Sequence, residues 1–246
     1  MNFEYKIAKP SLSYRINDQE YQIPKNLKFI DKQYMMKEYK LDRLYLLLQT
    51  IKKIFEKNNI KYFAIAGTLL SAIRHKAFMP WDDDIDLSYM RKDHDKIKSL
   101  TNKFKKLGYT LYECTPGFVL QDINYNNICA DLFCLSTDKN HIYKYDSPII
   151  NDKPTFNTYE LFPKEYYYQN EIDKIIDGKI CDITIPIFSN SIDILKRCYS
   201  ENVMTEVRGV ASTKIHMFRR FQFIIPIMEN YLPTKVNFSL SKFLLK

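Results

Sequence analysis

The sequence predicts an α+β protein: a mixed central sheet flanked by helices, with an extra helical segment at the C-terminus. Three observations predict it. One is a helical stripe of apolar residues from Leu41 to Phe55. A second is an apolar/acidic alternation from Asp83 to Tyr89, and a third is an order of helix, strand, short helix, strand, helix and strands up to Leu135.

The elements follow in chain order. Residues 1–40 are polar, contain Pro10 and Pro24, and read as an N-terminal arm laid over the body. Leu41, Leu44, Leu47, Leu48, Ile51, Ile54 and Phe55 fall on one helical face, and "KNN" at 57–59 ends that helix. "IKYFAIA" (60–66) reads as a buried strand, Gly67 and Thr68 as a turn, and "LLSAIRH" as a short helix behind it. The acidic strand comes next. Ile97, Leu100, Phe104 and Leu107 then mark a second amphipathic helix that stops at Gly108. "YTLYEC", "GFVLQDI" and "NICADLFCL" are three strands, and 136–157 is a loop. "EIDKIID" and "KICDITIPI" read as a strand pair turning at Gly178, and "SIDILKRCYS" as a helix. The tail from Glu201, with "IHMFRRFQFIIPIM", is an extension packed on the same domain. No repeat or low-complexity linker marks a domain boundary along the chain.

Composition narrows the function classes. Of 246 residues, 46% are hydrophobic and 27% charged, which excludes a disordered chain. The net charge of +8 favours anionic partners, although lysines spread over helix faces also serve solubility alone. Five cysteines, an odd number without a CxxC pair, offer neither a disulfide framework nor a zinc knuckle, and suit a reducing cytoplasmic compartment. No signal-peptide core or membrane-length apolar run is visible, so peripheral membrane contact is the most that is expected.

The chemistry concentrates in "PWDDDIDL" (80–87). Side chains alternate along a strand, so Asp84 and Asp86 share a face about 6.6–6.8 Å apart while Ile85 and Leu87 enter the core. Asp82 shares that parity if the strand starts early; Asp83 precedes it. Carboxylates converging in this way suit hard cations. Asp131, in "ADLF", lies inside a second apolar strand, where an aspartate must be paired, hydrogen-bonded or metal-bound. Strand–Gly67–Thr68–helix presents backbone N–H groups of the kind that seat phosphate. Arg74, a helical turn further on, can hold phosphate bidentately or form a surface ion pair. His75 is read as a structural hydrogen-bonder, Trp81 as packing, and "EYYYQN" (165–170) as an acceptor groove or a sheet edge.

"AGTLLSAIRHKAFMPWDDDIDLSYMRKD" (66–93) resembles the signature of the LicD/fukutin family of phosphotransferases, built on the nucleotidyltransferase fold. "ADLF", "YELFP" (159–163), "IPIF" (185–188) and "DILKRCY" (193–199) are similar to its later segments, so the resemblance covers about 41–200. Ala66, Ser71, Ala77 and Ser200 stand where that family usually has glycine, replacements that keep the geometry if φ stays negative.

The resemblance implies that Asp84, Asp86 and Asp131 bind two divalent ions, Mg²⁺ or Mn²⁺, with Gly67, Thr68 and Arg74 on the donor phosphates. It implies transfer of a phospho-alcohol, such as phosphocholine or ribitol phosphate, from a CDP-linked donor to a glycan hydroxyl with release of CMP. Two alternatives compete with it. One is nucleotidyl transfer from an NTP with release of pyrophosphate. The other is a non-catalytic, basic nucleic-acid-binding protein, although the scattered lysines make no stripe and no specific nucleic acid is expected.

Overall fold

A computed structural model describes residues 13–30 and 35–207, apart from 115, 126, 139, 147–148, 151–152 and 155–161. The tail "IHMFRRFQFIIPIM" lies outside the described residues.

The N-terminal stretch forms a hairpin, β1 (Ser13–Ile16) and β2 (Gln19–Gln22), followed by the short β3 (Lys28–Phe29). Helix α1 (Glu38–Lys57) buries every residue of the apolar stripe, and the Asn17 N–H fastens the hairpin to Asp42 Oδ1 at 2.6 Å. Asn59, at φ +51°, turns the chain into β4 (Tyr62–Ala64).

After β4 the sequence expectation changes in one respect. Gly67 and Thr68 are not the turn; they lie in the first turn of α2 (Ala66–Leu70), which continues as a π-helical turn over Ser71–His75. Ala66 makes the turn at φ +44°, so the alanine standing for glycine does not keep a negative φ. A Cβ in that region is strained.

The strand β5 (Asp84–Met90) alternates as expected: Ile85 and Leu87 are buried, Asp84 and Asp86 half-buried. The second helix is broken at Leu100 into α3 (His94–Ser99) and α4 (Thr101–Lys106), and Leu107 is exposed rather than apolar-facing. Leu100 sits at ψ −1°; its N–H donates to the Ile97 carbonyl and its own carbonyl accepts from the N–H groups of Lys103 and Phe104, so the stripe is shared by two short helices. Gly108, at φ +87°, follows the C-cap.

The expected strands appear as β6 (Tyr109–Cys114), β7 (Gly117–Asp122) and β8 (Cys129–Thr137). The expected loop at 136–157 holds further strands: β9 (Ile142–Tyr145), β10 (Ile149–Ile150) and β11 (Lys153–Pro154). Next, β12 (Tyr167–Tyr168) leads into a helical turn, α5 (Gln169–Ile172), where a strand was expected. The physical reason is local. Glu171 accepts from the Tyr168 N–H at 2.9 Å and closes the turn by its side chain.

The following hairpin is β13 (Ile175–Ile180) with β14 (Ile183–Phe188), and it turns at Cys181–Asp182 instead of Gly178. Cys181 supplies the positive φ of +58°, while Gly178 is inside the strand, where a Cβ would press on Ile187. Helix α6 (Ser191–Cys198) and β15 (Glu206–Val207), parallel to β3, complete the described chain.

The main sheet runs β12–β9–β8–β5–β4. β7 pairs the first half of β8 and β9 its second half, on the edge opposite β5, and β6 hangs on β7. The β5–β8 pair is parallel; the others are antiparallel, so the sheet is mixed as expected. α1 runs against β5 and β8 and covers the face that carries Ile85, Leu87, Ala130 and Leu132. That leaves the opposite face of the same two strands for the aspartates.

Candidate metal centre

The parallel register pairs Asp86 with Asp131 and Asp84 with Cys129. Neighbouring strands lie about 4.8 Å apart and alternate residues share a face, so three carboxylates from two strands converge. One oxygen from each of Asp84, Asp86 and Asp131 lies within 4.8 Å of the others. This is a cluster of hard oxygen donors of the kind Mg²⁺ and Mn²⁺ take.

The start of α2 is sewn to β5 at this point. The Gly67 N–H donates to Asp86 Oδ2 at 3.1 Å, and the Asp86 N–H donates to Thr68 Oγ1 at 2.7 Å. The Ile65 N–H donates to the Asp86 carbonyl at 3.2 Å. Gly67 and Thr68 thus fix the rotamer and height of Asp86. A Cβ on Gly67 would run into the Asp82 carboxylate and come within 3.3 Å of Asp86 Oδ2, so only glycine leaves room here.

Electrostatics agree with a cation seat. Burial, then Asp86 and Asp82, raise the Asp84 carboxyl well above its ordinary value. Burial, then Asp82, Asp131 and Glu165, raise Asp86, against the pull of the Gly67 N–H. Burial, then Asp83, push Asp82 up to about 7, with Arg74 opposing, and Asp131 up to about 6. Four carboxyl groups that resist ionising together gain from a divalent ion among them. The donor set therefore fits the group that the sequence reading implies.

The remaining site residues fall in different places. Asp82 borders the cluster, and Asp83 is exposed beside it. Arg74 is turned toward the chain's later part: its Nη1 donates to the carbonyls of Val203 at 2.7 Å and Glu206 at 3.0 Å. Burial lowers its guanidinium to about 10, with Asp82 opposing. His75 is buried edge-on to Trp81, 5.3 Å between rings, and burial followed by Arg74 drops its imidazole to about 3. It is a neutral packing group. Trp81 also meets Phe29 at 5.4 Å, as expected of a packing residue.

Glu165 is a further neighbour of this centre. It accepts from the Tyr145 hydroxyl at 2.6 Å and adds negative potential at Asp86. Nothing in its spacing ties it to β5. The tyrosines beside it form the sheet edge: Tyr167 pairs with Tyr143, and Tyr166 lies under Arg197 at 4.5 Å.

Known proteins share parts of this chain. It is 31% identical over 171 residues, 69% of its length and 59% of theirs, to an uncharacterized protein of Rickettsia prowazekii (strain Madrid E). A similar protein of Rickettsia typhi (strain ATCC VR-144 / Wilmington) is 30% identical over 170 residues, 69% of this chain and 50% of the relative. The chain thus spans about half to three fifths of the length of these relatives. The lipopolysaccharide cholinephosphotransferase LicD of Haemophilus influenzae (strain ATCC 51907 / DSM 11121 / KW20 / Rd) is 49% identical over 47 residues, 19% of this chain and 17% of that protein.

Among solved structures, the lincosamide antibiotic adenylyltransferase LnuA, lincomycin-bound, overlaps 63% of this chain and 82% of its own at 17% identity, with a TM-score of 0.37. A likeness of that size says nothing of substrate. The family model described as "LicD/FKTN/FKRP, nucleotidyltransferase domain" matches residues 59–172, a narrower span than the motifs suggest, and that span includes β4, α2, β5 and β8 with all three converging aspartates. Residues 59–172 are thus similar to the LicD/FKTN/FKRP nucleotidyltransferase domain.

Proposed function

We propose that the protein is a metal-dependent transferase that moves a phospho-alcohol group from a CDP-linked donor to a glycan hydroxyl and releases CMP. The observation that carries this reading is the meeting of Asp84, Asp86 and Asp131 within 4.8 Å on two adjacent parallel strands. The partial identity to an enzyme named a lipopolysaccharide cholinephosphotransferase supports the choice of transferred group and acceptor.

In this reading Asp84, Asp86 and Asp131 hold two divalent ions. When bound, such ions neutralise a diphosphate and stabilise charge on the entering and leaving oxygens. The chain's own residues do the rest. The Gly67 N–H and the Thr68 hydroxyl keep Asp86 pointed at the donor. Asp131 orients the acceptor hydroxyl and takes its proton. The acceptor oxygen bonds to the phosphorus that carries the alcohol, and that phosphorus loses its bond to the bridging oxygen, which departs with CMP. Arg74 contributes positive potential near Asp82.

The test is incubation with Mg²⁺, a panel of CDP-linked alcohols and a glycan acceptor, with products read by phosphorus NMR. CMP together with a phosphodiester-linked glycan is expected. Pyrophosphate formed from an NTP, with no CMP from any CDP-alcohol, would overturn the reading in favour of nucleotidyl transfer.

A further inference from the structure

An exposed patch of aromatic and aliphatic tips stands at one end of the main sheet, outside the acidic centre. Tyr39 and Tyr125 are both exposed, with rings 5.7 Å apart. Ile123, two residues before Tyr125, is exposed too, and its N–H donates to the Gly108 carbonyl at 3.0 Å. That bond sets Ile123 beside exposed Leu107. Exposed side chains from the start of α1, the β7–β8 loop and the end of α4 are thus brought to one end of the sheet.

The patch is also rigid. The Arg43 guanidinium lies 5.1 Å from the Tyr125 ring and is ion-paired to the fully buried Asp122. Asp122 in turn accepts from the Asn124 N–H at 2.9 Å. Large apolar side chains presented to water on a braced loop cost free energy unless something covers them.

Charge indicates the partner. Lys105 and Lys106, exposed, directly precede Leu107, and neither is in an ion pair among the described residues. Lys37 and Lys40 flank Tyr39, against the acid Glu38, whereas the charge of Arg43 is balanced by Asp122. Tyrosine and aliphatic tips ringed by lysine are suited to the headgroup layer of an anionic bilayer: the rings and methyls enter the boundary, and the ammonium groups meet lipid phosphates.

We propose that Tyr39, Leu107, Ile123 and Tyr125, with Lys105 and Lys106, form a docking surface for an anionic membrane. The register places it. Asp84 and Gln121 both pair with Cys129, so the loop that carries Ile123 and Tyr125 leaves the sheet at the end where Asp84 lies. The Met36 N–H donates to the Pro80 carbonyl at 2.6 Å and brings the start of α1 to the same end. Docking would thus hold the acidic centre next to the lipid surface, whatever reaction occurs there.

The test uses the full chain and co-sedimentation with vesicles of phosphatidylglycerol mixed into phosphatidylcholine, against phosphatidylcholine alone. Binding to the anionic vesicles is expected, weakening as salt rises. The K105E/K106E variant should lose about tenfold in vesicle affinity or more, since each lysine near such a surface counts for about a factor of five. L107S/I123S should lose binding at high lipid while keeping its melting temperature, because both positions are solvent-facing. Absence of wild-type binding would overturn the proposal. So would equal binding by the variants, which would assign attachment to residues outside the patch, or equal binding to neutral vesicles carrying a glycan headgroup, which would assign it to sugar. Failure of the CMP assay would leave this result standing.

Discussion

Removing the divalent ion at different pH values measures the acidic centre directly. Asp82 is pushed up to about 7 and Asp131 up to about 6, both from an ordinary 3.8, by burial and by neighbouring carboxylates. A carboxyl raised in the folded state makes no difference below about pH 4, where both folded and unfolded chains hold the proton. The penalty grows as pH rises and is complete above about pH 7. At about 1.4 kcal/mol per pH unit the two groups together bound the penalty at about 7 kcal/mol. Both are half-buried and share their repulsion, so about 3 kcal/mol is the working figure, or about 10 °C in melting temperature for a domain of this size.

His75 acts in the opposite direction. Its imidazole falls to about 3 in the folded state, so the stability it contributes is present above about pH 6.5 and lost on acidification. The informative quantity is therefore the melting temperature in saturating Mg²⁺ minus that in chelator, from which the His75 contribution cancels. This difference should rise from near zero at about pH 4.5 to about 10 °C at about pH 8, and should collapse in Asp86→Asn. A difference that is flat with pH, or absent at about pH 8, would refute the reasoning that a cation relieves the repulsion among these carboxylates.

Other predictions read the same structure elsewhere. Asp84→Ala should abolish CMP release while leaving the metal-free melting temperature unchanged or higher, because a raised carboxyl is removed from Asp86; unaltered turnover would remove Asp84 from the site. Gly67→Ala should reduce turnover by at least about a hundredfold, since its Cβ displaces Asp82 and Asp86, and this is checked by single-turnover kinetics beside a circular-dichroism spectrum that stays folded. Arg197→Ala should cost about 3–5 kcal/mol in urea unfolding. It breaks a pair of 3.1 Å bonds to the nearly buried Glu171, which also accepts from Asn190 at 2.9 Å.

Periodicity made much of the fold legible. The stripe of α1 came through residue for residue, and the alternation of β5 from Asp84 to Leu87, because each is a statement about one element and the face it buries. The differences lie where a single backbone or side-chain contact overrides the pattern. Gly178 looked like a turn, but the turn goes to Cys181, which reaches positive φ with its N–H held by the Lys76 carbonyl at 2.8 Å. Glu171 looked like part of a strand, but its carboxylate closes a helical turn and binds Arg197 from α6. Leu107 kept helical spacing, yet the helix stops one residue before it and leaves it in water.

The sequence by itself determined that two short apolar strands carry Asp84, Asp86 and Asp131 among their apolar residues, and its motifs resemble those of one family. Only the tertiary structure decided that those strands are parallel neighbours, with Asp86 opposite Asp131. It alone turned Arg74 to the carbonyls of Val203 and Glu206, and brought Glu165 near Asp86. The physical reason is range. Alternation and helical spacing follow from backbone geometry a few residues long, whereas register, burial and repulsion among carboxylates depend on segments more than forty residues apart meeting in one sheet.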